Sequence, residues 1–318
     1  MGNSEGTCCS PQRQEFDSST TPLVRYAEAN LSQTNFVTIP AGEFWMGSNK
    51  VHYPADGEGP SRLVWLDEFK ISKFATTNSE FAAFIDATGY KTEAEIYGWS
   101  YVFNGLTNEQ SPLIQDTGIA SSAPWWSAIN GAYWYKPFGD SRTVEHFLDH
   151  PVVHVTLNDA FEYCKWSGYK LPTEAQWEKA SRGGLVDKLF PWGDELLKDG
   201  NHHTNIWQGE FPTLNTVEDG YLGTAPVNSF AANNFGLYNT IGNVWEWTKD
   251  FWSIRWHLSE KEETRRNPIG PIKTQGNRVL KGGSFMCHES YCYRYRNSAR
   301  TYNSPQSSTS HIGFRCIL

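Results

Sequence analysis

Cysteine is scarce in this chain, with six in 318 residues, which excludes a small disulfide-dense scaffold. Charge is thin as well, at 19% of residues with a net charge of −8. That balance offers no basic footprint for nucleic acid or an anionic membrane surface. No apolar run approaches the roughly 20 residues that a membrane-spanning helix needs, so no span is expected. Residues 1–19 are polar and lack the apolar core of a secretory signal. Met1-Gly2 opens like a myristoylation signal, but Gly6 stands where Ser or Thr is required. The chain therefore reads either as a cytoplasmic protein or as a mature secretory-pathway protein with an added initiator Met. The sequon Asn30-Leu31-Ser32 would matter only in the second case.

Aromatic residues, by contrast, are dense: 14 Trp, 15 Tyr and 18 Phe supply large apolar surfaces, so the chain is not disordered. With 27 Gly and 16 Pro, many turns and short elements are expected. Residues 1–33 read as a polar, flexible arm and residues 34–318 as one domain, without linker or internal repeat. Ordered structure should start with the β-like run Phe36-Val37-Thr38-Ile39. Three helices are signalled. Thr77-Asn78-Ser79-Glu80 is a capping box, with Gly89 as the stop. The second helix begins at Thr156 with Asp159 in the cap and Gly168 as the stop, and Thr173-Glu174-Ala175-Gln176 opens a third that ends at Gly183-Gly184. Beyond residue 185 no long helical period is found. The expected class is α+β with little regular secondary structure.

The most informative stretch is Gly282-Gly283-Ser284-Phe285-Met286-Cys287-His288-Glu289-Ser290-Tyr291-Cys292-Tyr293-Arg294. Residues five apart point in different directions on a helix and to opposite faces on a strand. Only a turn or loop can bring Cys287 and Cys292 to one point. Three uses remain open: a local disulfide, a redox dithiol, or a two-sulfur metal site. Two thiolates are too few for structural zinc but suit soft Cu(I). His288 and His202-His203 have no companions at ligand spacing, so surface or hydrogen-bonding roles are expected for them. A loop-rich domain needs other ties. A Cys164–Cys316 disulfide is one candidate, and bound calcium at Asn205-Ile206 with Glu218-Asp219-Gly220-Tyr221, or within Asn239–Glu246, is another. On spacing alone, turn capping by the Asn and Asp side chains is the favoured reading of those segments.

Five motifs then occur in order: Ile39-Pro40-Ala41-Gly42-Glu43-Phe44-Trp45-Met46-Gly47, His150-Pro151-Val152-Val153-His154-Val155, Leu171-Pro172-Thr173-Glu174-Ala175-Gln176-Trp177-Glu178, Gly242-Asn243-Val244-Trp245-Glu246-Trp247 and Gly313-Phe314-Arg315-Cys316. Together they resemble the sulfatase-modifying factor family, over about residues 34–318. Asn205-Ile206-Trp207-Gln208-Gly209-Glu210-Phe211-Pro212 brings the likeness close to its eukaryotic members, and the cysteine pair to its catalytic branch rather than the branch that lacks the pair. The resemblance implies a single C-type-lectin-like domain. It also implies oxidation of the cysteine in a Cys-x-Pro-x-Arg motif of an unfolded sulfatase to Cα-formylglycine, with O2 as co-substrate. Cys287 and Cys292 would hold Cu(I), with the substrate thiolate as a third ligand. Ser284 would hydrogen-bond in the oxygen pocket and Trp245 would form part of its wall. Trp126, Ser100 and Arg294 would line the peptide groove.

By the same resemblance, Asn205, Ile206, Asp219 and Tyr221 would bind one calcium ion. Asn239, Gly242, Val244 and Glu246 would bind a second, which reverses the preference for turn capping. Residence in the lumen of the endoplasmic reticulum is implied, and Cys8-Cys9 would engage thiol-bearing proteins there. Two departures stand out. Ser181 and Asn297 occupy the positions of a second family disulfide, which must be absent, and Trp99 occupies a groove position that is acidic in better-known members. The competing reading is a non-catalytic sulfatase or peptide binder in which Cys287–Cys292 is a structural disulfide. A non-haem iron enzyme on the same fold would need a histidine-rich site, which is not found.

Overall fold

The structure is a computed structural model that describes residues 10–13, 33–108, 123–273 and 275–318. Cys8, Cys9 and the sequon lie outside the described residues. The chain opens with β1 (Phe36–Ile39), β2 (Gly42–Met46), β3 (Arg62–Leu66) and β4 (Phe69–Ser72), followed by helices α1 (Asn78–Thr88) and α2 (Glu93–Tyr97). Next come β5 (Trp99–Phe103), β6 (Trp126–Asn130), α3 (Leu157–Ser167) and α4 (Glu174–Arg182). The remaining elements are short: β7 (Gly209–Glu210), β8 (Leu214–Asn215), β9 (Trp245–Phe251), α5 (Glu262–Arg265), β10 (Arg278–Lys281), β11 (Arg300–Asn303) and β12 (Ile312–Phe314).

The three expected helices form where their caps place them. In each, the N-cap threonine accepts the third residue's amide while that residue's side chain accepts the threonine amide. Each ends on a left-handed glycine, at Gly89, Gly168 and Gly183. The five-residue α2 was not expected, although Thr92 and Glu95 form a fourth capping box.

The largest sheet has the order β11-β10-β9-β12. The β9–β12 pair is parallel and the others are antiparallel. Helix α4 is fastened to this sheet by buried charges. Lys281 Nζ lies 3.0 Å from Glu178 Oε2, and Arg300 pairs with both oxygens of Glu174 at 2.7 Å. Burial alone would raise the Glu178 carboxyl, yet Lys281 and Arg182 hold it down at about 2. The charged anchor therefore sits at Lys281, the residue before Gly282. The main core gathers Phe81, Phe84, Tyr163, Trp177, Trp245 and Trp247 with Cys164, Cys287, Cys292 and Cys316.

Within the stretch read as a flexible arm, residues 10–13 pack against the domain. Ser10 and Arg13 are buried. Asn303 Nδ2 donates to Ser10 Oγ at 2.7 Å and the Arg13 amide donates to Ser307 Oγ at 2.9 Å.

Candidate active site

The connection from β10 to β11 carries the cysteine pair. It leaves the sheet through Gly282 (φ 102°) and Gly283 (φ 78°). A Cβ at Gly282 would come within 2.8 Å of the Thr240 carbonyl, and one at Gly283 within 3.0 Å of the Tyr295 backbone, so both positions require glycine. The connection then folds into two tight turns. The Cys287 amide donates to the Ser284 carbonyl at 2.9 Å, and the Cys292 amide to the His288 carbonyl at 2.7 Å. As the spacing required, it is turns that bring the sulfurs together, 3.3 Å apart. Outside bonds fix the arrangement: Phe285 N–H donates to Asn243 O and Trp207 N–H to Cys287 O, each at 3.0 Å.

Both cysteines are buried, at 2% and 1% exposure. Burial pushes the Cys287 thiol well up, the Cys292 sulfur adds to this, and Ser284 opposes it. Ser284 opposes it with its amide, 3.3 Å from Cys287 Sγ, and with its side chain. Ser284 is itself fully buried. Trp245, the first residue of β9, shares the core cluster of both cysteines, and its indole N–H has no partner. Trp126 packs in the adjoining cluster with Phe285, Met286 and Trp207; its indole N–H is also unpartnered, and its ring lies 4.6 Å from that of His311.

Two expected groove residues face other partners. Ser100 is fully buried, donates to Ser308 O at 2.9 Å and lies 2.8 Å from His154 Nδ1. Burial holds His154 down at about 3, so that ring is neutral. Arg294 donates from Nε to Asp56 Oδ2 at 2.6 Å and stacks 4.0 Å over the Tyr53 ring. His288 Nδ1 lies 2.8 Å from Ser290 Oγ, in keeping with a hydrogen-bonding role. His202 lies 3.9 Å from Glu218, and the His203 ring packs 5.4 Å from Trp192.

The two oxygen-rich segments differ. Around Asp219, the Gln208 side-chain nitrogen donates to both Ile206 O and Asp219 Oδ2, while Asn205 Oδ1 is buried without a partner. A donor thus sits between two of the expected ligands, Ile206 and Asp219, and the Tyr221 amide closes the turn on Asp219 Oδ1 at 3.0 Å. In the second segment Asn239 Oδ1 is likewise buried and unpartnered. Gly242 N–H donates to Gly282 O at 2.9 Å, which ties this segment to the start of the cysteine loop, and Val244 is buried. The Glu246 carboxylate, however, is engaged by Arg315 at 2.6 and 2.8 Å and by Trp177 Nε1 at 2.6 Å. No group of three or more His, Cys, Asp or Glu that could hold a metal occurs among the described residues.

Cys164 on α3 and Cys316 after β12 have their sulfurs 3.7 Å apart, with no bond between them. Ser181 Oγ donates to Asn297 Oδ1 at 2.9 Å, so a buried hydrogen bond joins the two positions at which the resemblance had implied a missing disulfide. The sequence reading missed Arg13. Its guanidinium stacks on Tyr97 and Trp99 at 4.2 and 4.1 Å and donates to Trp99 O at 2.6 Å.

A C-type-lectin-like α+β domain that carries a buried dithiol on a sheet connection defines the class. Residues 21–318 match the sulfatase-modifying factor enzyme 1-like domain, and the chain belongs to that family. It is 54% identical over 281 residues to a formylglycine-generating enzyme of Thermomonospora curvata, covering 88% of this chain and 92% of that one. With a formylglycine-generating enzyme of Bos taurus it shares 49% identity over 320 residues, 97% of this chain and 84% of the relative. An inactive C-alpha-formylglycine-generating enzyme 2 of Bos taurus is 38% identical over 296 residues, 92% of this chain and 91% of the relative. The fold also resembles PvdO from Pseudomonas aeruginosa, with a TM-score of 0.62 at 24% identity over 89% of this chain and 93% of that one. No described helix is long and apolar enough to cross a membrane.

Proposed function

We propose that this protein converts the cysteine of a Cys-x-Pro-x-Arg motif in unfolded sulfatases into Cα-formylglycine, with O2 as oxidant. The observation that carries this reading is the buried Cys287–Cys292 pair, 3.3 Å sulfur to sulfur, on a loop braced on both sides. Identity of 54% and 49% to the formylglycine-generating enzymes of Thermomonospora curvata and Bos taurus, against 38% to the inactive Bos taurus relative, supports it.

The donor set fits copper(I): two convergent soft ligands, with no third His, Cys, Asp or Glu gathered beside them among the described residues. Held by the two thiolates, copper(I) would supply one-electron redox chemistry with oxygen. The chain's own residues do the rest. Burial keeps the Cys287 thiol protonated until a metal displaces the proton. The Ser284 amide favours the Cys287 thiolate at 3.3 Å. The buried Trp245 and Trp126 side chains help to keep water away, and the Trp245 indole N–H has no partner among the described residues.

Calcium at the two oxygen-rich segments belongs to the same proposal. It is supported by the unpartnered Asn205 and Asn239 oxygens and by the Gln208 nitrogen lodged between Ile206 O and Asp219. Glu246 fits least, because Arg315 already holds it. We likewise assign Cys164 and Cys316 as a disulfide in an oxidising compartment, with the secretory pathway as the location expected from the resemblance. The test is turnover. The copper-loaded protein is incubated with a Cys-x-Pro-x-Arg peptide in air and thiol reductant, and the peptide is followed by mass spectrometry. An aldehyde-bearing product is expected, and its absence overturns the reading in favour of a peptide binder.

A further inference from the structure

Residues 9–13 of this chain read Cys-Ser-Pro-Gln-Arg, which is itself a Cys-x-Pro-x-Arg sequence. Its last four residues are held along a wall made by residues 303–308, from the last residue of β11 onward. Asn303 Nδ2 donates to Ser10 Oγ at 2.7 Å and to Pro11 O at 3.3 Å. The Arg13 amide donates to Ser307 Oγ at 2.9 Å, and Ser304 Oγ donates to Arg13 O at 3.2 Å. Three of these bonds engage backbone atoms, which any extended peptide offers, and one engages the Ser10 hydroxyl, at the first of the motif's variable positions. Gln12, at one such position, points to solvent.

Selectivity is concentrated at Arg13. Its side chain is almost fully buried, stacks on Tyr97 and Trp99, and donates to Trp99 O and Ser308 Oγ at 2.6 and 3.4 Å. Ser308 also bonds Ser100, one of the residues expected to line the substrate groove, at 2.8 Å. The wall is continuous with the cysteine loop, because that loop runs directly into β11. Two guanidinium nitrogens, Nε and Nη1, have no hydrogen-bond partner. A buried cation held by stacking, a carbonyl and a hydroxyl, with no carboxylate bonded to it among the described residues, is held modestly, so a competitor can displace it.

We propose that the Cys-x-Pro-x-Arg sequence at residues 9–13 is a tethered imitation of the substrate motif, its residues 10–13 docked in cis in the groove that admits sulfatase segments and displaced by them, a role that rests on the substrate class proposed above. Tethering gives the segment an effective concentration on the order of mM. A segment with an intrinsic dissociation constant of about 0.1 mM would then weaken an incoming peptide about tenfold.

The test uses the full chain and a fluorescently labelled Ser-x-Pro-x-Arg peptide, which binds but has no thiol to oxidise. Arg13→Ala is expected to bind this peptide about tenfold more tightly than the wild type by anisotropy, and Gln12→Ala to match the wild type. Equal binding by wild type and Arg13→Ala, or binding by neither, overturns the tethered segment. Melting temperatures of both variants establish that they are folded. Turnover of the thiol peptide separates the two readings. Tighter binding by Arg13→Ala without any aldehyde keeps the tethered segment and removes the chemistry. Aldehyde formation with the same KM in both forms keeps the chemistry and removes the tethered segment.

Discussion

Two cysteine pairs lie in one core and differ in almost everything but burial. Cys287 and Cys292 are five positions apart, with sulfurs at 3.3 Å. Cys164 and Cys316 are 152 positions apart, with sulfurs at 3.7 Å. Chain entropy sets their structural worth. A bond closing the longer loop would stabilise the fold by about 5 kcal/mol, and one closing the short loop by about 2 kcal/mol. Their surroundings differ in the same sense. The near pair has a backbone donor 3.3 Å from one sulfur, whereas the far pair joins α3 to the strand end with the Thr76 hydroxyl 3.9 Å from Cys316. A pair that contributes little as a staple yet is braced by Asn243 and Trp207 suits the chemistry proposed for it.

The sharpest way to break that contrast is to exchange the effects. Cys287→Ser should lower peptide turnover on the order of a thousandfold or more while shifting the melting temperature little. If Cys164→Ser did the same, the two pairs could not have separate roles. Next in size, Cys164→Ala should remove about 5 kcal/mol relative to the oxidised protein, read as a melting temperature lower by roughly 10 °C or more. Turnover per folded molecule should be retained. An unchanged melting temperature on adding reductant to the wild type would show that no bond forms there. Calcium extends the comparison to ties without sulfur. A chelator should destabilise the wild type by about 3 kcal/mol if calcium stands about 100-fold above its dissociation constant. Asn239→Ala should lessen that response in thermal melts. The smallest effect belongs to the polar pair: Ser181→Ala should cost roughly 1 kcal/mol, measured by denaturant titration.

Local signals were the legible ones. Three helices could be placed because a capping box and a stop glycine lie within one short segment, and the cysteine loop because spacing excluded regular structure. Strand pairing was not legible, since β9 meets β10 and β12 across long separations and each strand is only three to seven residues long. Side-chain direction was the other gap. Ser100 fits a groove by its place in the chain, but the buried His154 and Ser308 turn its hydroxyl inward. Arg294 fits a substrate contact by its position beside Cys292, but Asp56, which arrives from far upstream, binds it. Arg13 was hidden for the opposite reason. The polar composition around it suggests solvent, and only the tertiary cradle of Tyr97, Trp99 and Ser307 buries it.

The parallel pairing of β12 with β9 bears on how the domain is made. Residues 312–314 lie against Trp245–Trp247, and the Trp245 amide donates to His311 O at 2.8 Å. His311 and Ile312–Phe314 follow the cysteine loop in the chain, so on a translating ribosome the two thiols emerge before the strand that covers their aromatic neighbour. Domains generally fold as units, and here the nascent chain passes through an interval in which the dithiol is made but not enclosed. That interval is when the wrong sulfur partners are within reach, and it ends only when Ile312–Phe314 docks.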